Sequence, residues 1–214
     1  MDRLDRDWLA AHPLPVHDPD ADKNERGRVL VIGGARFVPG ALRLTGEAAL
    51  RAGCGKLQLA TIDEAAMALG VLVPEAAMIA LPADADGEIG AGAVELLGRA
   101  LDNCDCVILG PGMVDHAPAT PLVEALFDTR RERLRIVLDA AAITCAAHHP
   151  RSEARRLVLT PHPGEMEALT GATGEAILDD PARAAAEAAA RFGAVIVLKS
   201  SRTIVAGPSG EIAR

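Results

Sequence analysis

In the stretch LTPHPGEMEALTG (residues 159–171), two prolines flank a single histidine, and Gly-Glu follows. The residue before a proline is disfavoured in the helical conformation, so we expect Thr160 and His162 to be extended. The preceding run RRLVLT is typical of a short apolar strand, and the apolar spacing after the second proline predicts a helix that starts near Gly164. The stretch therefore predicts a strand that turns sharply into a helix, which we call the TPHPGE elbow.

The TPHPGE elbow would hold His162 stiffly at the N-terminus of a helix. The first N–H groups of a helix have no partner within it, so we expect free N–H groups beside a fixed imidazole. That combination suits an anionic or polar ligand. The alternative is a rigid turn whose surface histidine only orients the elbow, and this stretch alone is compatible with both interpretations.

Strand-like and helix-like stretches alternate along most of the chain. The strand-like runs are RVLVIGG (28–34), KLQLAT (56–61), AAMIAL (76–81), CVILG (106–110), RIVLD (135–139), LVLT (157–160), AVIVLK (194–199) and TIVAG (203–207). Helix-like stretches cover about 41–52, 91–102, 120–131 and 181–192. This order predicts an α/β fold in which a mainly parallel central sheet carries helices on both faces. We interpret residues 1–23, which are polar and contain prolines, as an N-terminal arm, and residues 24–214 as one domain.

The composition argues for a soluble protein that binds small molecules. The chain has 214 residues, of which 50% are hydrophobic, so one domain with a substantial core is expected. Only 2% are aromatic and the net charge is −8, which argues against nucleic acid and membrane partners because both attract basic surfaces. With no long apolar segment and no signal-peptide pattern, we expect a cytoplasmic protein.

The cysteines do not form a regular framework. Cys54, Cys104, Cys106 and Cys145 are irregularly spaced in a chain of this size, which favours free thiols in a reducing compartment. The Cys-Asp-Cys sequence at residues 104–106 lacks a second pair at metal-binding spacing. We therefore expect no metal ligands on the protein.

The unusual residues fall where the predicted strands end. In a parallel sheet these ends lie at one edge, where ligands bind. The loops concerned are Gly33-Gly34 with Pro39-Gly40, Gly110-Pro111-Gly112, Asp139, the TPHPGE elbow, and Lys199-Ser200-Ser201. Each alone has a structural explanation, such as a tight turn, a helix cap or a solvated strand end. Together they predict a cleft for an anion or a nucleotide.

Two common nucleotide signatures are absent from these loops. The loop GGARFVPGALR lacks the Gly-Lys-Ser/Thr ending of a phosphate-binding loop, and Gly53-Cys54-Gly55 precedes a strand instead of following one. A nucleotide would therefore be held in another way. Lys199 could supply a point charge and Thr203 a hydroxyl to phosphate or ribose.

Several segments in this order closely resemble the ADP- or ATP-dependent NAD(P)H-hydrate dehydratases. The matching segments are NERGRVLVIGGARFVPGALRLTGEAALRAGCGKLQLAT, VILGPGM, VLDAAAIT, LTPHPGEMEALTG and VLKSSRTIVA, and the resemblance runs from residue 24 to residue 214. It implies a three-layer ribokinase-like fold. It also implies a reaction in which ADP or ATP, with Mg²⁺, phosphorylates the ring hydroxyl of hydrated NADH or NADPH. Elimination of phosphate then regenerates the normal cofactor.

The resemblance also implies the functional residues. Substrate contacts would fall on Ala41, Gly112 and His162, with Gly40 letting the ring and phosphates approach the backbone and Asp139 at the same edge. The nucleotide-binding loop would consist of Lys199, Ser200, Ser201, Arg202 and Thr203. We expect His162 to donate a hydrogen bond to the substrate.

Two departures from the family pattern bear on this assignment. Ser200 stands where the family usually has glycine, which narrows backbone freedom in the loop. The family's Gly-Gly-(Thr/Ser)-Gly-Asp segment, with its anion hole and catalytic aspartate, does not occur, so we expect it beyond Arg214 in a longer protein. Asp139 occupies a different position and does not simply replace that aspartate.

Two other functions remain open from the sequence. One is a ribokinase-like kinase of a vitamin precursor, and the other is a catalytically inactive nucleotide-binding subunit. The resemblance implies a homo-oligomer. The sequence does not distinguish ADP from ATP, or an NADH-derived from an NADPH-derived substrate.

Overall fold

The computed structural model of the chain describes residues 1–13, 20, 22–128, 131, 133–148 and 156–214. The described strands are β1 (Arg28–Ile32), β2 (Lys56–Ile62), β3 (Ala76–Leu81), β4 (Cys106–Leu109), β5 (Arg135–Leu138), β6 (Leu157–Leu159), β7 (Val195–Leu198), β8 (Ile204–Ala206) and β9 (Ile212–Ala213). The described helices are α1 (Arg6–Ala11), α2 (Gly40–Arg51), α3 (Asp63–Leu72), α4 (Ala93–Asn103), α5 (His116–Asp128), α6 (Ala142–Cys145), α7 (Pro163–Thr170), α8 (Gly174–Asp179) and α9 (Pro181–Phe192). A 3₁₀ turn at Ala146–His148 follows α6.

All nine described strands form one sheet. Their order is β3-β2-β1-β4-β5-β6-β7-β8-β9. Strands β1 to β7 pair in parallel, whereas β8 pairs antiparallel with both β7 and β9. The predicted α/β class with a mainly parallel central sheet is confirmed.

Successive residues of a strand point to opposite faces of the sheet, and two separate clusters of buried side chains lie on those faces. In β1, Leu30 and Ile32 belong to the larger cluster, to which α4 to α9 contribute. Val31, between them, belongs to the smaller cluster with residues of α2 and α3. Because both faces are packed, the strand reads as a continuous apolar run in the sequence.

Most predicted boundaries shift by a few residues. The strands end before the glycines, Asp139, Thr160 and Lys199, because these residues form the loops at the carboxyl edge. The predicted Ala-rich helix 181–192 matches α9, and α7 begins at Pro163 because proline is favoured in the first turn of a helix. Helix α3 was not predicted: its apolar residues lie all around the helix, so no clear periodicity marks it.

The N-terminal arm contains a helix and a strand-like contact that the sequence did not predict. Helix α1 has no buried residue, and Asp5 caps it by accepting the Trp8 N–H over 3.0 Å. Before it, the backbone of Asp2 and Leu4 pairs with the end of β9. The start of the chain therefore lies along the antiparallel edge of the sheet.

The four cysteines are free thiols in the structure, as predicted. Burial raises the pKa of the Cys106 thiol to about 11, which makes it a poor metal ligand. In the described parts of the chain, no helix is both long enough and apolar enough to cross a membrane.

Candidate functional site

The loop after β1 and the loop after β4 touch each other at the carboxyl edge of the sheet. The Gly34 N–H donates to the carbonyl oxygen of Pro111 over 2.7 Å, and the Ala35 N–H donates to that of Gly112 over 2.9 Å. Gly112 has a φ of +77°, and a Cβ there would overlap the carbonyl oxygen of Val38. Glycine is therefore required for this approach of the two backbones.

The predicted substrate contacts Ala41 and Gly112 lie next to each other. A Cβ added to Gly112 would be 3.1 Å from the Cβ of Ala41. Ala41 and Gly40 form the start of α2, whose cap residue Pro39 provides no side-chain hydrogen bond. Gly40 is exposed, and a Cβ on it would meet no atom of the described residues within 4 Å beyond its own surroundings in the helix. The structure thus joins Ala41 to Gly112 and leaves Gly40 facing open space.

A third loop, residues 82–92 between β3 and α4, ties these two loops together. The Arg36 N–H donates to the carbonyl oxygen of Gly87 over 2.8 Å. The Val114 N–H donates to Glu88 Oε1 over 2.9 Å. Sequence analysis missed Glu88, although its loop follows a predicted strand and so had to reach the same edge.

Glu88 is a buried carboxylate at this junction. It is 5% exposed, and its Oε2 has no hydrogen-bond partner among the residues that the structure describes. Burial raises the pKa of the carboxyl above its ordinary value of 4.5, although the N–H groups of Val114 and Asp115 oppose this. The carboxylates of Asp84 and Asp115 add to the increase.

Asp139 connects the loops that follow β4, β5, β6 and β7. Its Oδ1 accepts hydrogen bonds from the Thr160 hydroxyl over 2.6 Å and from Lys199 Nζ over 2.7 Å. Its N–H donates to the carbonyl oxygen of Leu109 over 2.9 Å. Gly110, with a φ of +115°, approaches so closely that a Cβ there would overlap the Asp139 carbonyl oxygen.

His162 is extended, as predicted, and it caps α7 with its own ring. Its φ and ψ are −85° and 171°. The N–H groups of Gly164 and Glu165 donate to His162 Nδ1 over 3.0 and 3.3 Å. The prediction of free N–H groups at this helix start is therefore wrong, because the imidazole folds back and accepts from them.

The same geometry fixes which ring nitrogen of His162 can donate. Because Nδ1 accepts from the backbone, the ring proton resides on Nε2. Nε2 lies 3.4 Å from Glu165 Oε1, and the side chain is 57% exposed. His162 is thus a helix cap on one nitrogen and a donor on the other.

Glu165 and Lys199 join the TPHPGE elbow to the loop after β7. Glu165 Oε2 accepts from the His162 N–H over 2.7 Å and lies 3.8 Å from Lys199 Nζ. The Lys199 N–H donates to the carbonyl oxygen of Pro161 over 2.7 Å. The partly exposed ammonium therefore faces two carboxylates, those of Asp139 and Glu165.

These two carboxylates are the candidate ligands for a magnesium ion that enters with a nucleotide. Mg²⁺ is usually held by one or two carboxylates together with phosphate oxygens and water. Asp139 and Glu165 supply carboxylate oxygens, the donor type that Mg²⁺ prefers, on either side of the Lys199 ammonium. The described ranges contain no group of three or more His, Cys, Asp or Glu side chains that could hold a metal ion.

After Lys199, the predicted nucleotide loop forms a turn that is held by hydrogen bonds between its own residues. The Ser200 hydroxyl donates to the carbonyl oxygen of Arg202 over 2.8 Å and accepts from the Arg202 N–H over 3.2 Å. Ser201, Arg202 and Thr203 are exposed. Ser200 is therefore engaged within the turn, and the next three residues face outward.

Comparison with known proteins identifies relatives over nearly the whole chain. The sequence model of the family described as NAD(P)H-hydrate dehydratase matches residues 29–214. The chain is 42% identical to an ADP-dependent (S)-NAD(P)H-hydrate dehydratase of Xanthomonas campestris, over 95% of this chain and 68% of that protein. It is 34% identical to a bifunctional NAD(P)H-hydrate repair enzyme of Moorella thermoacetica, over 93% of this chain but only 38% of that protein.

Solved structures agree with the sequence comparison. An ADP/ATP-dependent NAD(P)H-hydrate dehydratase of Bacillus subtilis, co-crystallised with ATP and Mg²⁺, superposes with a TM-score of 0.80 at 28% identity, over 99% of this chain and 71% of that one. A ribokinase-like superfamily protein of Enterococcus faecalis gives a TM-score of 0.84 at 25% identity, over 99% and 70%. The predicted ribokinase-like fold is confirmed, and the chain belongs to the NAD(P)H-hydrate dehydratase family.

Proposed function

We propose that this protein dehydrates hydrated NADH or NADPH in a reaction that consumes ADP or ATP. The observation that carries the proposal is the continuous line of contacts along the carboxyl edge, on a chain of this family. It begins where Ala41 meets Gly112, passes Asp139, and ends at Lys199. A dinucleotide and a nucleotide can therefore lie side by side along one edge.

Small residues and one donor would bind the substrate. Ala41 and Gly112 leave the backbone accessible, so the ring and its phosphates can approach closely. His162 Nε2–H would donate to the substrate, since Nδ1 is already engaged by the backbone. Glu88 would hold the Gly112 loop in place through its bond to Val114.

Lys199 would bind the phosphates of the nucleotide. The turn at residues 200–203 would contact the remainder of the nucleotide. An ammonium acts as a point charge and stabilises charge that develops as the phosphoryl group moves. Asp139 orients this ammonium and, with Glu165, would hold Mg²⁺, which supplies further neutralisation of phosphate charge. We do not assign Asp139 as the catalytic base, because Lys199 and Thr160 already share its Oδ1.

The chemical logic follows from the leaving group. Hydroxide leaves a carbon atom poorly, whereas a phosphate ester leaves readily. Transfer of a phosphoryl group to the ring hydroxyl, followed by loss of inorganic phosphate and a ring proton, restores the reduced nicotinamide. Most of the catalytic work is then the positioning of two anions and the neutralisation of their charge.

The test is recovery of the near-ultraviolet absorbance of reduced nicotinamide. Purified protein would be mixed with hydrated NADH, Mg²⁺ and either ADP or ATP. We expect recovery that depends on nucleotide and is coupled to release of inorganic phosphate. Lys199→Met should reduce it strongly, whereas Lys56→Met, at the opposite end of the strands, should not.

Two results would contradict the proposal. A stable phosphorylated organic product without recovery of absorbance would identify a small-molecule kinase. Tight ADP binding without any turnover would identify an inactive nucleotide-binding subunit.

We also propose that the protein is a cytoplasmic homo-oligomer, with residues 24–214 as the dehydratase domain and residues 1–23 as its arm. The acidic net charge supports the absence of nucleic acid and membrane partners. Light scattering on the purified protein tests the oligomer, and a monomeric mass would contradict it.

A further inference from the structure

A threonine beside the glycine loops of the carboxyl edge is completely buried. Thr61 lies near the end of β2 and has no exposed surface. The parallel register pairs Ile32 with Ala60, so Thr61 lies beside Gly33 and Gly34, which follow β1. A hydroxyl without access to water needs a partner within the protein, because an unpaired buried donor destabilises the fold.

The Thr61 hydroxyl has this partner in the loop after β1. It donates to the carbonyl oxygen of Gly34 over 3.0 Å. The same peptide group ends in the Ala35 N–H, which donates to the carbonyl oxygen of Gly112 over 2.9 Å. Both polar ends of the Gly34–Ala35 peptide are therefore engaged, one by Thr61 and the other by the Gly112 loop.

This peptide needs an outside contact to hold its orientation. Two glycines, Gly33 and Gly34, precede Ala35, and Gly34 has a φ of +77°. Glycine adopts positive and negative φ with similar ease, so the loop sequence alone does not select one orientation of the peptide. A peptide turned the other way would point its carbonyl oxygen towards that of Gly112 and leave the Thr61 hydroxyl unpaired. The hydroxyl therefore selects the orientation that the Gly112 loop requires.

Close packing carries the position of this peptide to the proposed substrate contacts. A Cβ added to Gly34 would lie 2.9 Å from Thr61 Oγ1, so no space separates these two residues. A Cβ added to Gly112 would lie 3.2 Å from the Cα of Gly34 and 3.1 Å from the Cβ of Ala41. Tightly packed groups transmit displacements to their neighbours. A change at Thr61 therefore reaches Gly112 and Ala41 through Gly34.

We propose that Thr61 is a positioning residue for the hydrated dinucleotide. Its hydroxyl fixes the Gly34–Ala35 peptide, and that peptide fixes Gly112 against Ala41. Because Thr61 has no exposed surface, it acts through these residues and does not contact the substrate. The inference rests on the proposed function for the identity of the substrate and adds to it a buried residue of β2.

Two substitutions in the full chain test the role of the hydroxyl. Thr61→Val keeps the shape of the side chain but cannot donate, so we expect KM for hydrated NADH to rise about tenfold. KM for ADP should stay near the wild-type value, because Lys199 and residues 200–203 follow β7, and four strands separate β7 from β2. Thr61→Ser keeps the hydroxyl and should leave both KM values near those of the wild type.

Thr170→Val is the matched control. The Thr170 hydroxyl also donates to a backbone carbonyl, that of Met166 over 2.7 Å, but it lies at the end of α7 opposite the TPHPGE elbow. We expect this variant to lose melting temperature without a change in either KM. Thr61→Val should also lose melting temperature, so the difference between its two KM values is what distinguishes positioning from stability.

An unchanged KM for hydrated NADH in Thr61→Val would overturn the proposal and leave Thr61 as a structural residue. An equal rise in KM for ADP would also overturn it, because the whole carboxyl edge would then be disturbed. An equal rise in Thr61→Ser and Thr61→Val would show that the volume of the side chain matters and the hydroxyl does not.

Hydrogen exchange at the Ala35 amide provides a measurement that is independent of the reaction. We expect faster exchange in Thr61→Val than in the wild type and in Thr61→Ser, because the peptide is no longer held. Such exchange in a protein that fails to restore hydrated NADH would support the hold of Thr61 on the loop and contradict the proposed function. Dehydration with a KM that is independent of Thr61 would support the proposed function and overturn the inference.

Discussion

His162 caps α7 with one ring nitrogen, and we propose that it binds the substrate with the other. Nδ1 accepts from the first N–H groups of α7, which stabilises the start of the helix. Nε2 carries the proton and is the atom available to a substrate. A single substitution to alanine removes both, so it cannot separate the structural role from the binding role.

A comparison of two substitutions separates them. Asparagine is a strong helix cap, so His162→Asn should keep the melting temperature within about 2 °C of the wild type. Its amide does not reach as far as Nε2, so KM for the hydrated cofactor should rise about tenfold. His162→Ala should show the same increase in KM and lose about 1 kcal/mol of unfolding free energy.

Steady-state kinetics and thermal melts of both variants provide the check. An unchanged KM in His162→Asn would remove His162 from the substrate site and leave it as a cap alone.

Glu88 is a buried ionisable residue, so the free energy of unfolding depends on pH. Its pKa is raised above 4.5 in the folded protein, so the folded state binds the proton more tightly than the unfolded chain does. The charged form therefore weakens the fold at pH values above the folded pKa. This cost disappears as the pH falls through the folded pKa towards 4.5.

Glu88→Gln should reveal this dependence. Its amide oxygen can still accept from Val114, but it bears no charge. We expect the unfolding free energy of the variant, minus that of the wild type, to be greatest near neutral pH and to decrease towards pH 4.5. Urea unfolding at several pH values measures it, and a difference that does not change with pH would contradict the prediction.

Glu88→Ala is the second half of this experiment. It leaves the Val114 N–H without its acceptor, which costs about 1–3 kcal/mol. We expect it to raise KM for the substrate as well, because the Gly112 loop loses its support, whereas Glu88→Gln should leave KM near the wild-type value.

At the scale of elements, the site depends on two glycine loops that approach each other backbone to backbone. Gly112 has both a positive φ and no space for a Cβ. Gly92, before α4, has a similar φ of +85° but open space around the missing Cβ. Alanine substitutions at the two positions therefore distinguish the cost of the left-handed backbone from the cost of a Cβ that overlaps its neighbours.

We expect Gly112→Ala to lose more unfolding free energy than Gly92→Ala, by at least about 1 kcal/mol. Both substitutions pay about 1 kcal/mol for the left-handed conformation. Only the first also forces Val38 and Ala41 to move, so only it should raise KM. Chemical denaturation and kinetics check this, and equal losses in the two variants would show that the approach of the loops is not tight.

At the scale of the whole molecule, we propose that the nucleotide binds at Lys199 and the turn at residues 200–203, after β7. A ligand that binds only the folded state stabilises all of it. With ADP and Mg²⁺ at one hundred times Kd, the gain is about 2.7 kcal/mol, or about 5–10 °C in melting temperature. Lys199→Met at the same ADP concentration should show a clearly smaller increase, and an equal increase would place the nucleotide elsewhere.

The sequence by itself determined the fold class and most of the residues that lie at the carboxyl edge of the sheet. Continuous apolar runs between helical stretches specify a parallel sheet, and the rule that such strands end at one edge brought Gly112, Asp139, His162 and Lys199 to the same side. The family resemblance added the reaction and the roles that we propose for these residues. These features depend on residue type and on order along the chain, which a sequence displays directly.

Only the tertiary structure decided which groups touch. The imidazole of His162 folds back onto α7, and Asp139 holds Lys199 from 60 residues away. Glu88 supports the Gly112 loop by accepting the Val114 N–H. Such contacts arise from strand order and from close packing between distant loops, and nothing in the local spacing of residues records them.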